Sequence, residues 1–258
     1  VTQERFVSAL GKISCLCLVL VACAIPLRSA EKTANRIVCR EELAANKRDE
    51  LAARLRAITG WTELGFDAHG ALWFETAMVR GGSATARELL LKAESSRNVV
   101  VIEDASNRPD VVFGRVIPAR WKNHASNMPP TFVMLIDFAD FDRLTGDRAA
   151  LNSFNVGWAF LHELDHVIND LEDPESTNDA GECETHLNLM RRECNLPLRT
   201  EYFFTYFPHA QDSEFKTRYV RLAFDQSDPA QMKPRRLWVM WDATLVGGID
   251  TESLSARR

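Results

Sequence analysis

The stretch His162-Glu163-Leu164-Asp165-His166 holds the residue types and the spacing of a metal-dependent hydrolase. Two histidines four positions apart on a helix stand one above the other, so both imidazoles can reach one ion. The glutamate beside the first histidine is then placed to take a proton from water activated by that ion. Two histidines do not complete a zinc site: a third protein ligand is needed, with one position left for water. After a polar loop from Glu172 to Asp179, punctuated by Pro174 and Asn178, the segment Ala180 to Glu193 reads as a second helix. It carries three residues able to bind zinc: Glu182, Glu184 and His186.

The first helix must present these histidines. From Asn155 to Leu171 there is no proline, and Gly157 lies near the expected start. At about 100° per residue, Phe160, Leu164, Val167, Ile168 and Leu171 share one side. His162 and His166 fall roughly opposite, with Glu163 at the edge, so the helix is expected to bury one face and turn its histidines elsewhere.

The motif and the segment after it resemble the zincin metallopeptidases, and within them the gluzincins. The resemblance covers about residues 155 to 190. It implies an α+β, zincin-like fold: a mixed sheet with an active-site helix and a downstream ligand helix. It implies one Zn²⁺ per chain, held by His162, His166 and a glutamate of the second helix. Glu184 is the preferred third ligand, with Glu182 and His186 as alternates. Asn188, four after Glu184, and Asp170, four after His166, match positions whose side chains orient zinc histidines. The segment Asn195-Leu-Pro-Leu-Arg-Thr-Glu-Tyr202-Phe is similar to one found in bacterial metallopeptidase-like domains. Arg199 and Tyr202 are therefore candidate contacts for an oxyanion or a substrate carboxylate. The competing reading pairs Arg199 with a surface acid and packs Tyr202 beside Phe203 and Phe204.

Thr131 to Phe138 is the clearest strand. It stands where zincins carry the rim strand along which an extended peptide can pair; a core strand is the alternative. Other strands are expected over 98–103 and 111–116, separated by a turn at Asn107-Arg108-Pro109-Asp110, and over 219–224 and 237–241. Residues 31–58 read as one long or two shorter helices ended by Gly60. Gly81-Gly82-Ser83 reads as the N-cap turn of a helix from Ala84, since no Lys-Ser/Thr follows to make a phosphate loop. Trp238 and Trp241 are candidates for lining a pocket.

The N-terminus reads as an export signal over 1–30. Arg5 and Lys12 precede an apolar run from Ile13 to Leu27, shorter than the roughly 20 residues of a membrane span. Within it Leu20-Val21-Ala22-Cys23 resembles a lipobox, so the product is expected to be periplasmic or secreted, or lipid-anchored at Cys23. The rest divides into an N-terminal α/β region over 31–125, a catalytic region over 126–250 and a polar tail over 251–258. The exported part keeps Cys39, Cys183 and Cys194, too few for a disulfide scaffold. On one helix Cys183 and Cys194 would stand about 16 Å apart along its axis, beyond disulfide reach. The net charge of -5 and the scatter of Lys and Arg among acids argue against a nucleic-acid partner. The function expected is an exported zinc metalloendopeptidase acting on a peptide or protein. The alternative is a non-catalytic exported zinc-binding or interaction domain in which protein fills all four positions around the ion.

Overall fold

A computed structural model describes residues 36–119, 128–176, 179–207, 217–227 and 233–246. The expected export signal with its Leu20–Cys23 segment, and the tail from Thr251, lie outside the described residues.

The chain begins with strand β1 (Ile37–Cys39) and helix α1 (Ala45–Thr59), followed by the hairpin β2 (Leu64–Phe66) and β3 (Leu72–Phe74). Helix α2 (Ala84–Ser95) leads into β4 (Val99–Asp104), β5 (Gly114–Pro118) and β6 (Thr131–Ile136). Two short helices, α3 (Phe138–Asp142) and α4 (Arg148–Ser153), flank β7 (Thr145–Gly146). The long helices α5 (Val156–Asn169) and α6 (Glu182–Glu193) come next. Short strands β8 (Leu198–Arg199) and β9 (Thr205–Tyr206) then precede the long antiparallel pair β10 (Tyr219–Gln226) and β11 (Arg235–Asp242).

The architecture is mixed α+β. The first sheet has the order β1-β4-β6-β5, with β1, β4 and β6 parallel and β5 antiparallel at the edge. The valine run of β4 (Val99 to Val101) suits a strand inside a parallel sheet, where branched side chains pack on the pleat. β6 lies between β4 and β5, so Thr131 to Ile136 is a core strand and the rim is β5. The hydrophobicity of β6 follows from that central place. The 31–125 and 126–250 regions are not separate bodies: β4 and β6 pair over six residues across that division, and Ala34–Arg258 forms one compact unit. Residues 37–39 are a strand rather than the start of a helix, because they add to β4 as the sheet's other edge.

The second sheet is antiparallel, ordered β7-β11-β10-β8, with β9 also on β10. One core joins the first sheet to α1, α2, α5 and α6 through Leu51, Leu55, Leu90, Met134, Phe160, Leu164, Leu187 and others. A second core, built on β10 and β11, is rich in aromatic rings: Phe113, Phe154, Phe224 and Trp241.

Local signals place the helix ends. Gly60 caps α1 in the left-handed conformation, φ 75°. A Cβ on it would sit 2.2 Å from the Gly81 carbonyl oxygen, and one on Gly82 2.3 Å from the Gly60 nitrogen, so these two glycines let the 81–82 turn pack against the end of α1. Ser83 caps α2 by accepting from the Ala86 N–H. The ends of α6 are charged to suit its dipole, with Glu182 and Glu184 in the first turn and Arg191 and Arg192 in the last.

Candidate metal centre and adjoining cavity

Helix α5 starts where Asn155 accepts from the Gly157 N–H and ends at Asp170, whose left-handed backbone (φ 57°) turns the chain back. It is buried on nearly every side rather than on one face, because β5 and β6, α1, α2 and α6 all pack against it. His162 and Glu163 are among its buried residues.

Both histidines aim Nε2 at one carboxylate oxygen. His162 Nε2 stands 3.0 Å and His166 Nε2 3.6 Å from Asp173 Oδ1. A tetrahedral ion with bonds of about 2.0–2.1 Å would hold such donors roughly 3.4 Å apart, so the three fit one small cation. His166 Nδ1 lies 2.6 Å from the Leu171 carbonyl oxygen and can donate to it, which fixes the tautomer that leaves Nε2 free to coordinate. The corresponding Nδ1 of His162 is buried with no hydrogen-bond partner. Asp173 also accepts from the Tyr202 hydroxyl. Burial pushes its carboxyl up, but hydrogen bonds from His162 and Tyr202 and the charges of both histidines outweigh this, holding it at about 2. The Tyr202 phenol is pushed up, first by burial and then by Asp173.

The Cys183 thiol completes a group of four potential donors whose ligand atoms all lie within 4.8 Å of one another. Its sulfur is nearer to His166 Nδ1 (3.4 Å) than to Nε2 (3.9 Å) and is 3.6 Å from the Leu171 carbonyl oxygen. It therefore lies alongside the His166 ring, level with Nδ1. Burial, and then the carboxylates around it, push this thiol up. Cys39, Cys183 and Cys194 are all unpaired.

Glu163 lies against β5. It accepts from the Val116 backbone N–H, and a Cβ on Gly114 would come 3.2 Å from its Oε1, so the glycine makes room for it. Burial pushes the Glu163 carboxyl up against the pull of His162 and His166, the direction that suits a general base. Immediately before β5, Phe113 adopts φ 63°, unusual for a bulky residue. Its N–H is held by the buried Asp140 (3.2 Å) and its carbonyl by the Asp137 N–H (3.0 Å). That distortion sends the Phe113 ring to meet Phe154 and Trp241 edge-on, at 5.0 and 5.2 Å.

Several residues singled out in the sequence stand elsewhere. Glu184 is buried between Arg191 and Arg199, which engage its two oxygens. The guanidinium charges outweigh its burial and keep it ionised, and it lies outside the donor group. Glu182 is exposed and accepts from the Glu172 N–H (3.3 Å). His186 turns to Asp165, Nδ1 to Oδ2 2.6 Å. Asn188 touches neither histidine; it bonds Arg199 twice through the backbone, at 2.8 and 2.9 Å. Asp170 is exposed and acts through its backbone, while the Leu171 carbonyl supports His166. Arg199 pairs with the buried Glu184 rather than with a surface acid, and also donates to the Glu201 and Tyr202 carbonyls. Tyr202 reaches Asp173, with its ring centroid 6.1 Å from that of His162.

Asp173 and Cys183 were not among the candidates read from the sequence. The signals were weak: a left-handed helix end at Asp170 followed by Pro174, and a cysteine beside a ligand-rich helix start. Neither spacing specifies which donor faces back.

A cavity of about 350 Å³ opens beside His162 and Glu163. Its walls are aromatic, including Phe113, Phe154, Trp158 and Trp241, and Arg191, Arg199 and Glu184 also line it. Trp241 thus lines a pocket, whereas Trp238 carries the guanidinium of Arg221 at 3.8 Å. Among the described residues no helix is long and apolar enough to cross a membrane. No family model, curated protein or solved structure matches this chain.

Proposed function

We propose that the chain is a zinc-dependent peptidase of zincin type, with His162, His166 and Asp173 as the protein ligands and Glu163 as the general base. The observation that carries this reading is the convergence of two Nε2 atoms on one Asp173 oxygen, with the Glu163 carboxylate braced beside them by the edge strand. The third ligand proposed here replaces Glu184, whose oxygens are taken by two arginines.

Bound zinc would supply a Lewis acid that polarises the scissile carbonyl and makes water acidic enough to lose a proton near neutral pH. The chain's own groups do the rest. Glu163, desolvated so that it holds a proton more readily, accepts one from water and returns it to the leaving amine. The Val116 N–H fixes the carboxylate that does this. β5 pairs with β6 on one side only, so an extended peptide can add along its other edge in the register that brings a carbonyl past Glu163. Tyr202 spends its one hydroxyl proton on Asp173 next to the His162 ring, so it braces that ligand and meets charge on the carbonyl oxygen only by turning its hydroxyl from Asp173 to the substrate.

A second reading is a closed structural site in which Cys183 takes the fourth position; the grouping of four donors favours it. The sulfur's closer approach to His166 Nδ1 than to Nε2 weighs against it, as does Glu163, which has no part in a closed site. Export is retained as part of the proposal on the sequence pattern of residues 1–30 alone.

The test is the zinc content of the purified chain beside His162→Ala, followed by a peptide library with Glu163→Gln as control. About one zinc per chain, lost in His162→Ala, with cleavage absent in Glu163→Gln, supports the peptidase. No zinc after reconstitution overturns it. Zinc without cleavage of any peptide favours the closed site.

A further inference from the structure

The cavity is walled by aromatic rings, with Glu163 as one carboxylate of its lining and a separate buried cluster of Arg191, Arg199 and Glu184 in which positive charge is in excess. Arg191 and Glu184 are almost wholly inaccessible to solvent, and Arg199 is mostly so. Two guanidinium groups share one carboxylate, which leaves one positive charge over. The charges acting on Arg191 are those of Glu184 and Arg199, with no second carboxylate among them. Burial and the neighbouring Arg199 lower its hold on its proton, the direction expected of a cation short of counter-charge.

The hydrogen bonds are incomplete in the same place. Arg199 spends Nε, Nη1 and Nη2 on Glu201, Glu184 and Tyr202. Arg191 donates from Nε to the Ser153 carbonyl (3.0 Å) and from Nη1 to Glu184 and to Asn188 Oδ1 (3.0 Å). Its Nη2 has no hydrogen-bond partner among the described residues, although a guanidinium carries five N–H groups. Its Cζ stands over the rings of Trp158 (5.0 Å) and Phe224 (5.9 Å), and the side chain lines the cavity. Burying a charge without a full set of partners is costly unless a ligand supplies them.

From this, and resting on the peptidase reading only for its place in catalysis, we propose that the cavity is a subsite for a negatively charged carboxylate of the substrate. The group is either an acidic side chain or the free carboxyl end of the chain, its hydrocarbon part lying against Phe113, Phe154 and Trp241. The cavity is large enough for one such residue. In its low-dielectric walls a carboxylate gains far more from the spare guanidinium charge than it would in water. An uncharged side chain would leave that charge unmet.

The first measurement uses the full chain freed of metal by chelation and dialysis, so that zinc cannot bind the probe. Calorimetric titration with N-acetyl-phenylalanine and with its amide compares the same ring with and without a carboxylate. The acid is expected to bind at least about tenfold tighter at low salt, and Arg191→Met, with its fold checked by circular dichroism, is expected to erase the difference. Equal binding of acid and amide to the native chain overturns the proposal, whether or not the variant folds. With zinc restored, peptides carrying Glu or Gln at each position flanking the cleaved bond, each with a free or amidated end, separate the two sources. Dependence on Glu assigns the side chain, dependence on the free end assigns the terminus, and indifference to both overturns the subsite. Preference for the acid with no peptide ever cleaved would leave the anion site standing and remove the peptidase reading.

Discussion

His186 Nδ1 lies 2.6 Å from Oδ2 of the fully buried Asp165, joining α6 to the middle residue pair of the histidine motif on α5. Asn169 donates to the other oxygen of Asp165 at 2.5 Å, so the carboxylate is satisfied from two helices. The hydrogen bond to Asp165 raises the His186 pKa above its usual value, ahead of the opposing effect of burial, with Glu88 adding to the rise and Lys92 reducing it. A raised folded-state pKa gives stability that is fully present below the unfolded value, about 6.5, and lost as pH rises through the folded value. His186→Gln is therefore expected to cost about 1–3 kcal/mol near pH 6. The difference from the native chain should shrink toward pH 9 in thermal melts; a difference that grows with pH would refute the pairing.

The third ligand can be decided by metal content. Asp173→Ala should abolish stoichiometric zinc, lowering affinity by more than the roughly 10–100-fold that loss of a supporting group costs. Glu184→Gln should keep zinc and lose stability instead, because it leaves Arg191 and Arg199 without their shared carboxylate. Zinc lost in Glu184→Gln and kept in Asp173→Ala would reinstate the downstream glutamate.

Glu163→Gln keeps the size of the side chain and removes its basicity. It should leave zinc bound and lower kcat by on the order of 10²–10⁴, the range general acid–base groups contribute. Native turnover in this variant, measured on any peptide the native chain cleaves, would remove Glu163 from the mechanism.

Gly114→Ala puts a methyl group 3.2 Å from Glu163 Oε1 without disturbing either histidine. Zinc content and melting temperature should hardly change while kcat falls, by roughly 10²-fold if the carboxylate moves by about 1 Å. Unchanged kinetics would mean that Glu163 has room to work in more than one position.

Tyr202→Phe deletes the hydroxyl that bonds Asp173. Zinc should bind roughly 10–100-fold more weakly, as when other outer partners of metal ligands are removed, and competition with a chelator measures this directly. Unaltered affinity would show that Asp173 is held by the histidines alone.

The local signals were legible along the chain. His162, Glu163 and His166 share one helix because four residues make about one turn, whatever surrounds them. Gly60 and Ser83 mark helix ends through their own backbone and side chain, and the branched residues of 99–101 and 131–136 announce strands. What the tertiary structure decided was everything that depends on a chain reversal. The left-handed turn at Asp170 brings Asp173 back to the histidines, and no periodicity encodes that return. α6 could present Glu182, Glu184 or His186 to a metal by phase alone. Its seating against Arg199 of β8 and against Asp165 of α5 gave Glu184 and His186 other partners. The order β4-β6-β5 placed the most hydrophobic strand inside the sheet and a short, less apolar one beside Glu163. Helix phase and caps are properties of neighbours in sequence. A candidate metal centre closed by a chain reversal, an edge strand and a charged cavity depend on contacts that periodicity does not encode, and the packing of the whole molecule selects which of the chemically able groups meet.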